Sequence, residues 1–168
     1  MSNIVVIGAG PAGMMAAIVA AKAGHKVTLL EKNEKIGKKL FITGKGRCNV
    51  TNACDIEELF QNIISNEKFM YSGLYSFSND MTMAFFEEIG LKIKTERGNR
   101  VFPVSDHSSD VIRVLEDEMK RLGVEIYKNT PVKSLLCEET DGRKTIIGVQ
   151  LQNGKSIKAD KVLLATGG

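Results

Sequence analysis

Gly8, Gly10 and Gly13, with Glu31 eighteen residues beyond the last of them, are the residues whose types and spacing suggest chemistry. In a G-x-G-x-x-G turn the first glycine makes the tight bend and the second lets the backbone approach a pyrophosphate. The third lets the following helix lie close on the preceding strand. Pro11 stands at the first helical position, where its missing N–H would have had no helical partner. A helix starting there points free N–H groups and a partial positive charge at phosphates. A carboxylate closing the next strand accepts hydrogen bonds from the two ribose hydroxyls of an adenosine. The run Gly8-Ala9-Gly10-Pro11-Ala12-Gly13 together with Glu31 is therefore a candidate dinucleotide cradle.

Such a cradle works only if a strand, a helix and a second strand hold it. Ile4-Val5-Val6-Ile7 is a short run without polar alternation, the pattern of a strand buried on both faces. Met14 to Ala23 is alanine-rich and helix-favouring, Gly24 is a plausible stop, and Lys26-Val27-Thr28-Leu29-Leu30-Glu31 reads as a second strand ending in the acid. The alternative is a glycine turn that only packs a βαβ unit. Charge speaks for a ligand. The chain has 23 basic and 20 acidic residues, net +3, and between Glu31 and Arg47 there are six basic residues (Lys32, Lys35, Lys38, Lys39, Lys45, Arg47) against two acids (Glu31, Glu34). That segment is +4 and the remainder −1, which fits a bound diphosphate better than a broad nucleic-acid face. A solvated basic loop is the plainer alternative.

Composition bounds the rest. A chain of 168 residues suits one domain with a real core. No stretch approaches the roughly 20 apolar residues of a membrane span. No basic residue precedes Lys22, which argues against a secretory leader, so a cytoplasmic protein with no membrane or nucleic-acid partner is expected. Three cysteines without a C-x-x-C, and no histidine pair at ligand spacing, predict neither a disulfide framework nor a metal site.

Downstream of Glu31, Gly37, Gly44 and Gly46 interleave with cations and with hydroxyl or amide residues, making a second loop able to approach an anion closely. The combination Gly-Ala-Gly-Pro-Ala-Gly, Glu31-Lys32, Gly37-Lys38-Lys39-Leu40 and Thr43-Gly44-Lys45-Gly46-Arg47-Cys48-Asn49-Val50-Thr51-Asn52 resembles the BaiN-type flavoproteins. These are bacterial FAD-dependent oxidoreductases, also labelled aminoacetone oxidase-like, on a glutathione-reductase-like fold. The resemblance runs across nearly the whole chain. It implies that Lys32, Lys39, Thr43, Gly46, Arg47, Cys48 and Asn49 join the glycine turn around FAD. Some flavin disulfide reductases carry a redox cysteine pair shortly after the ribose acid. Cys48 and Cys54 lie farther downstream and favour a buried or cofactor-adjacent thiol instead.

Along the rest of the chain, Asp55 to Ile64 reads as an amphipathic helix with Asp55 and Glu58 as a capping pair. Residues 67–78 read as aromatic and irregular. Asn79 is predicted to cap a helix through Ile89, and Leu91 to Phe102 a hairpin turning at Arg97-Gly98-Asn99. Arg100 to Val111 is a second family signature, where the resemblance leaves a flavin or substrate contact open for Arg100 or Ser105. A helix from about Ser109 to Leu122 leads to a strand at Val124–Tyr127. Three antiparallel strands follow (132–137, 145–151, 156–159), then a buried strand running into Ala165-Thr166-Gly167-Gly168. By resemblance, Val132 holds the adenine through its backbone, and Ala165, Thr166 and Gly167 return to the FAD.

The expected fold is α/β: a Rossmann-like FAD-binding domain with a parallel sheet from residues 3–7, 27–31, 124–127 and 162–166, a three-stranded β-meander and a helical insertion. Residues 1–52 and 102–168 form the expected nucleotide-binding core and 53–101 the insertion. The resemblance implies a truncated FAD-binding part with little turnover of its own and a surface that truncation leaves open to association. In the intact protein, hydride would pass between NAD(P)H, FAD and a small-molecule acceptor such as an unsaturated ketone or steroid. A non-catalytic nucleotide-binding module and an NAD-dependent dehydrogenase domain are the alternatives.

Overall fold

The computed structural model describes residues 1–167; Gly168, the last glycine of the terminal run, lies outside the described residues. In chain order the elements are β1 (Asn3–Ile7), α1 (Pro11–Lys22), β2 (Lys26–Leu30), α2 (Lys38–Ile42) running into a 3-10 turn (Thr43–Gly46), β3 (Thr51–Asn52), α3 (Ile56–Gln61), α4 (Glu67–Ser76) and α5 (Asn79–Glu88). There follow β4 (Ile93–Glu96), β5 (Arg100–Pro103), α6 (Ser108–Arg121), β6 (Glu125–Tyr127), β7 (Val132–Thr140), β8 (Arg143–Leu151), β9 (Ser156–Lys158) and β10 (Lys161–Leu164). The chain divides into two compact units, one of Met1–Leu40 with the chain from Leu115 onward, the other Phe41–Val114.

The first unit is built on a four-stranded parallel sheet in the order β10-β1-β2-β6. All four predicted sheet segments are present, and the connection from β1 through α1 to β2 is the parallel crossover that the glycine turn implied. The apolar run of β1 is covered on both faces. Val5, Ile7 and Leu30 form one core cluster with Val149, Leu151 and Ala159 of the meander side, and Val132, Ile157 and Val162 pack against it. Strand alternation turns Val6 and Leu29, both fully buried, to the other face, where α1 lies on β1 and β2 with Met14, Ala17 and Ile18 buried. Each of the larger side chains, Val6, Leu29, Met14 and Ile18, contributes about 1.5–3 kcal/mol by leaving water. The three strands β7, β8 and β9 form the antiparallel meander, turning at Asp141-Gly142, both left-handed (φ 53° and 72°).

The second unit holds a small antiparallel sheet, β3-β5-β4, and α3, α4 and α5. Its hairpin turns at Gly98 and Asn99 (φ 75° and 57°), as expected. Three local expectations are corrected. Residues 67–76 are a helix, not an irregular stretch. No residue of α4 is buried, so there is no apolar stripe to read. Ring contacts fix it instead, Phe60 of α3 lying with centroids 4.5 Å from Tyr71 and 5.4 Å from Tyr75. Helix α3 is only six residues long, and Asp55 makes no side-chain cap bond. The cap of α5 is Ser78, whose Oγ accepts from the Met81 N–H at 3.2 Å. Asn79 lies inside the helix, buried, and donates to the Asn52 and Cys54 carbonyls at 2.8 and 2.6 Å.

Candidate functional site

The glycine turn sits at the carboxyl edge of the parallel sheet. The ladder continues one residue past each strand: the Gly8 N–H donates to Leu30 O, Ala165 N–H to Ile7 O, and Glu31 N–H to Tyr127 O, at 2.8, 2.8 and 2.9 Å. Gly8, Glu31 and Ala165 are thereby set side by side where the strand order reverses about β1, the place at which such sheets bind ligands.

The three glycines are glycine for three different reasons. Gly8 has φ 102°, and a Cβ there would stand 2.5 Å from the Ala165 carbonyl oxygen. Gly13 has an ordinary helical backbone, but a Cβ would fall on the Gly8 carbonyl oxygen. Gly10 has an ordinary extended backbone (φ −78°, ψ −179°), and a Cβ there would meet nothing within 4 Å. Neither conformation nor packing calls for glycine at position 10. The open space is what a pyrophosphate approaching the backbone needs. The first helical bond of α1 runs from Met14 N–H to Gly10 O at 2.9 Å, so the Ala12 and Gly13 N–H groups end the helix toward that space, and Pro11 has no N–H to orphan.

Glu31 is buried, with its carboxylate fixed. Oε2 accepts from Ala9 N–H at 2.8 Å, and Oε1 accepts from Asn33 N–H and Nδ2 at 2.9 and 2.6 Å. A carboxylate has about four acceptor sites, so capacity for a hydroxyl remains. The backbone places the neighbouring groups. Gly37 N–H donates to Ala9 O at 2.8 Å, and Thr130 N–H donates to Glu31 O at 2.8 Å, which brings the segment entering Val132 alongside the acid. Lys39 is exposed, with its Nζ 3.6 Å from where a Cβ on the left-handed Gly167 (φ 74°) would be. Lys32 and Thr166 are exposed. The structure thus brings Gly8, Ala9, Gly10, Pro11, Ala12, Gly13, Glu31, Lys39, Ala165 and Gly167 together at one sheet edge, with Val132 at the start of β7.

The other five candidates, Thr43, Gly46, Arg47, Cys48 and Asn49, lie in the second unit in an unusual backbone. Gly44, Lys45, Gly46 and Cys48 are all left-handed (φ 54°, 57°, 86° and 60°), two of them non-glycine. Asn49 spends its amide on the Thr51 and Val101 carbonyls, at 2.8 and 3.0 Å. Burial pushes the Cys48 thiol up, which makes it a poor thiolate and a poor redox partner for Cys54; both are free. Arg47 is held by carboxylates: Nε and Nη2 donate to Asp106 Oδ1 at 2.9 and 2.5 Å, and Nη2 to Glu96 Oε1 at 2.5 Å. Lys94 Nζ bridges the same acids at 2.7 and 3.3 Å, and the guanidinium lies 4.2 Å over the Phe102 ring. Sequence reasoning missed Lys94, Glu96 and Asp106; the alternation Lys94-x-Glu96 on a strand, placing both on one face, was the available signal.

These ion pairs have a sign in pH. Hydrogen bonds from Lys94 and Arg47 hold the Asp106 carboxyl below its ordinary range, and Arg47 does the same for Glu96. Depressed native values mean that their stabilisation is full above the ordinary carboxylate range, roughly pH 4. It is lost as pH falls through the native values. Melting followed by circular dichroism from pH 6 to pH 3 is therefore expected to fall more steeply in the native chain than in Asp106→Asn, which lacks one of the two acids.

A parallel sheet in this order, with its glycine turn and terminal acid, defines a Rossmann-type α/β nucleotide-binding domain. The chain belongs to the family described as the HI0933-like protein Rossmann domain, whose model matches residues 2–168. It is 35% identical over 170 residues to the 3-dehydro-bile acid delta(4,6)-reductase of Clostridium scindens, covering 100% of this chain and 39% of that protein. It is 29% identical to the ribosomal RNA dihydrouridine synthase of Escherichia coli, covering 99% of this chain and 39% of the relative. The chain thus spans about two fifths of these relatives. Among solved structures, the 3-ketosteroid-delta4-(5alpha)-dehydrogenase of Rhodococcus jostii matches with a TM-score of 0.74 at 18% identity, over 99% of this chain and 46% of that one. Among the described residues, no helix is long and apolar enough to cross a membrane, and no cluster of three or more His, Cys, Asp or Glu could hold a metal.

Proposed function

We propose that this chain is the FAD-binding portion of a flavoprotein oxidoreductase. The observation that carries the reading is the open space at Gly10, flanked by the helix start, the fixed Glu31 carboxylate and the returning Ala165–Gly167 backbone. In this reading the N–H groups of Ala12 and Gly13 take the pyrophosphate and Glu31 a ribose hydroxyl, while the backbone near Val132 holds the adenine. Lys32, Lys39, Thr166 and the 43–49 turn supply the remaining contacts. The flavin, when bound, accepts and delivers hydride; the protein positions it and sets its surroundings. In the whole protein we expect NAD(P)H as reductant and a small organic acceptor.

The two relatives differ in substrate, one named for a bile acid and the other for ribosomal RNA. Charge favours the small molecule. The excess of cations is confined to residues 31–47, and the Phe41–Val114 unit carries eight basic and ten acidic residues, net −2. A polyanion would gain little counterion release from such a surface.

Titration of the purified chain with FAD tests the reading. The expected result is saturable quenching of flavin fluorescence with the two-banded flavin absorbance retained after gel filtration. Binding of NAD alone, with no retained flavin colour, would overturn it in favour of a plain dehydrogenase domain.

A further inference from the structure

Arg47 stands in the glycine-rich run assigned above to the cofactor, and a cation there invites the reading that it grips a phosphate. Its geometry says otherwise. Nε and Nη2 are already directed at Asp106 and Glu96, its plane lies over Phe102, and Lys94 closes the same ring of charge. Two cations and two anions leave this cluster neutral. The ion pairs join three stretches far apart in sequence: the 43–48 turn, strand β4 and the turn after β5. The backbone at two of these stretches is strained. Lys45 and Cys48 are left-handed non-glycines in the first stretch, and Asp106 (φ 58°) is another in the third. Such backbones persist only where the surroundings over-determine them, and they cluster at ligand sites.

We infer that Asp106 and Glu96 are positioning residues for the 43–49 turn. Acting through Arg47, they lock its left-handed backbone in the shape that receives the cofactor, and Arg47 is a clamp rather than a phosphate ligand. The inference rests on the FAD reading. Asn is the substitution of choice at 106 because it tolerates the left-handed conformation while removing the charge.

The two roles of Arg47 give opposite signs. If Arg47 gripped phosphate, Asp106→Asn would free a cation and tighten binding of the anionic cofactor, or leave it unchanged. As a clamp, losing Asp106 loosens the turn, and FAD binding weakens despite the removal of a negative charge. In fluorescence titrations of the whole chain, Asp106→Asn is expected to raise the FAD Kd about ten-fold. Arg47→Ala is expected to do the same, and the double variant to be no worse than either single one. Unchanged or tighter binding by Asp106→Asn, or additive losses in the double variant, would overturn the inference. Hydrogen exchange at the amides of residues 44–48 supplies a readout without cofactor. Faster exchange there in Asp106→Asn, with α1 protection unchanged, is expected; unchanged exchange would overturn it. Should the native chain bind no FAD, the functional reading fails while this exchange measurement still decides the clamp.

Discussion

Gly13→Ala is expected to destabilise the first unit strongly, whereas Gly10→Ala leaves its stability intact and weakens cofactor binding at least 100-fold. The added methyl at 13 lands on the Gly8 carbonyl oxygen, with the Ala165 methyl 3.3 Å away on another side. The obstacle is backbone, and it is tied down, since Gly8 N–H is itself bonded to Leu30 O. Relief requires α1 to move off β1, which breaks the packing of Met14, Ala17 and Ile18. Overpacking of this kind costs about 3 kcal/mol, a large part of the stability of a domain of this size. At position 10 the same methyl enters empty space from a backbone that alanine adopts freely, and the melting temperature should stay within a degree or two or rise slightly. The methyl then occupies the volume the pyrophosphate needs, so FAD affinity should fall at least 100-fold. Thermal melts and flavin titrations of the two variants separate the roles. If Gly10→Ala bound FAD as the native chain does, the pyrophosphate would not lie where the turn suggests.

Glu31→Ala is expected to lose both binding and stability. Its carboxylate satisfies the Ala9 N–H at 2.8 Å, and Ala9 is fully buried, so truncation leaves that donor with neither partner nor water. Hydrogen bonds to a charged acceptor contribute about 1.5–3 kcal/mol, and an orphaned buried donor costs a similar amount. The expected loss is about 2–3 kcal/mol by chemical denaturation. Glu31→Gln keeps the shape and one carbonyl acceptor. It should recover most of the stability while still binding FAD at least ten-fold more weakly, because it cannot accept from both Ala9 and Asn33 and still serve a ribose hydroxyl. Native-like FAD affinity in Glu31→Gln would remove the acid from the site.

The frame of the first unit was legible in the sequence because its signals are local. Residues 4–7 run into Gly8 and residues 27–30, soon after Gly24, into Glu31; both are short, mostly apolar runs, as a strand buried on both faces must be. The same holds for the turns at Asp141-Gly142 and Gly98-Asn99, whose left-handed conformations only a few residue types enter readily. What escaped was whatever depends on partners distant in the chain. Helix α4 carries its aromatic residues on an exposed surface, and contact with Phe60 holds it, so periodicity had nothing to detect. The motif marked Arg47 but not Asp106, 59 residues away, which decides how its guanidinium is used. Asn79 looked like a cap because its type suits one; its burial against the Asn52 and Cys54 carbonyls is visible only in three dimensions.

The pairing of β1 with β10 also sets a timetable. Ile4 lies opposite Lys161 and Ile7 opposite Leu164, so β1 meets one of its two neighbours only once residues 161–164 have been made. The Phe41–Val114 unit, by contrast, draws its pairings from one contiguous stretch. On a ribosome adding about 5–20 residues per second, that stretch can close first. Meanwhile β1, with its four consecutive apolar residues, waits on the order of ten to thirty seconds with one edge unpaired. Long-range parallel closure of this kind is slow and open to aggregation, so soluble yield should respond to how fast the stretch leading up to β10 is synthesised.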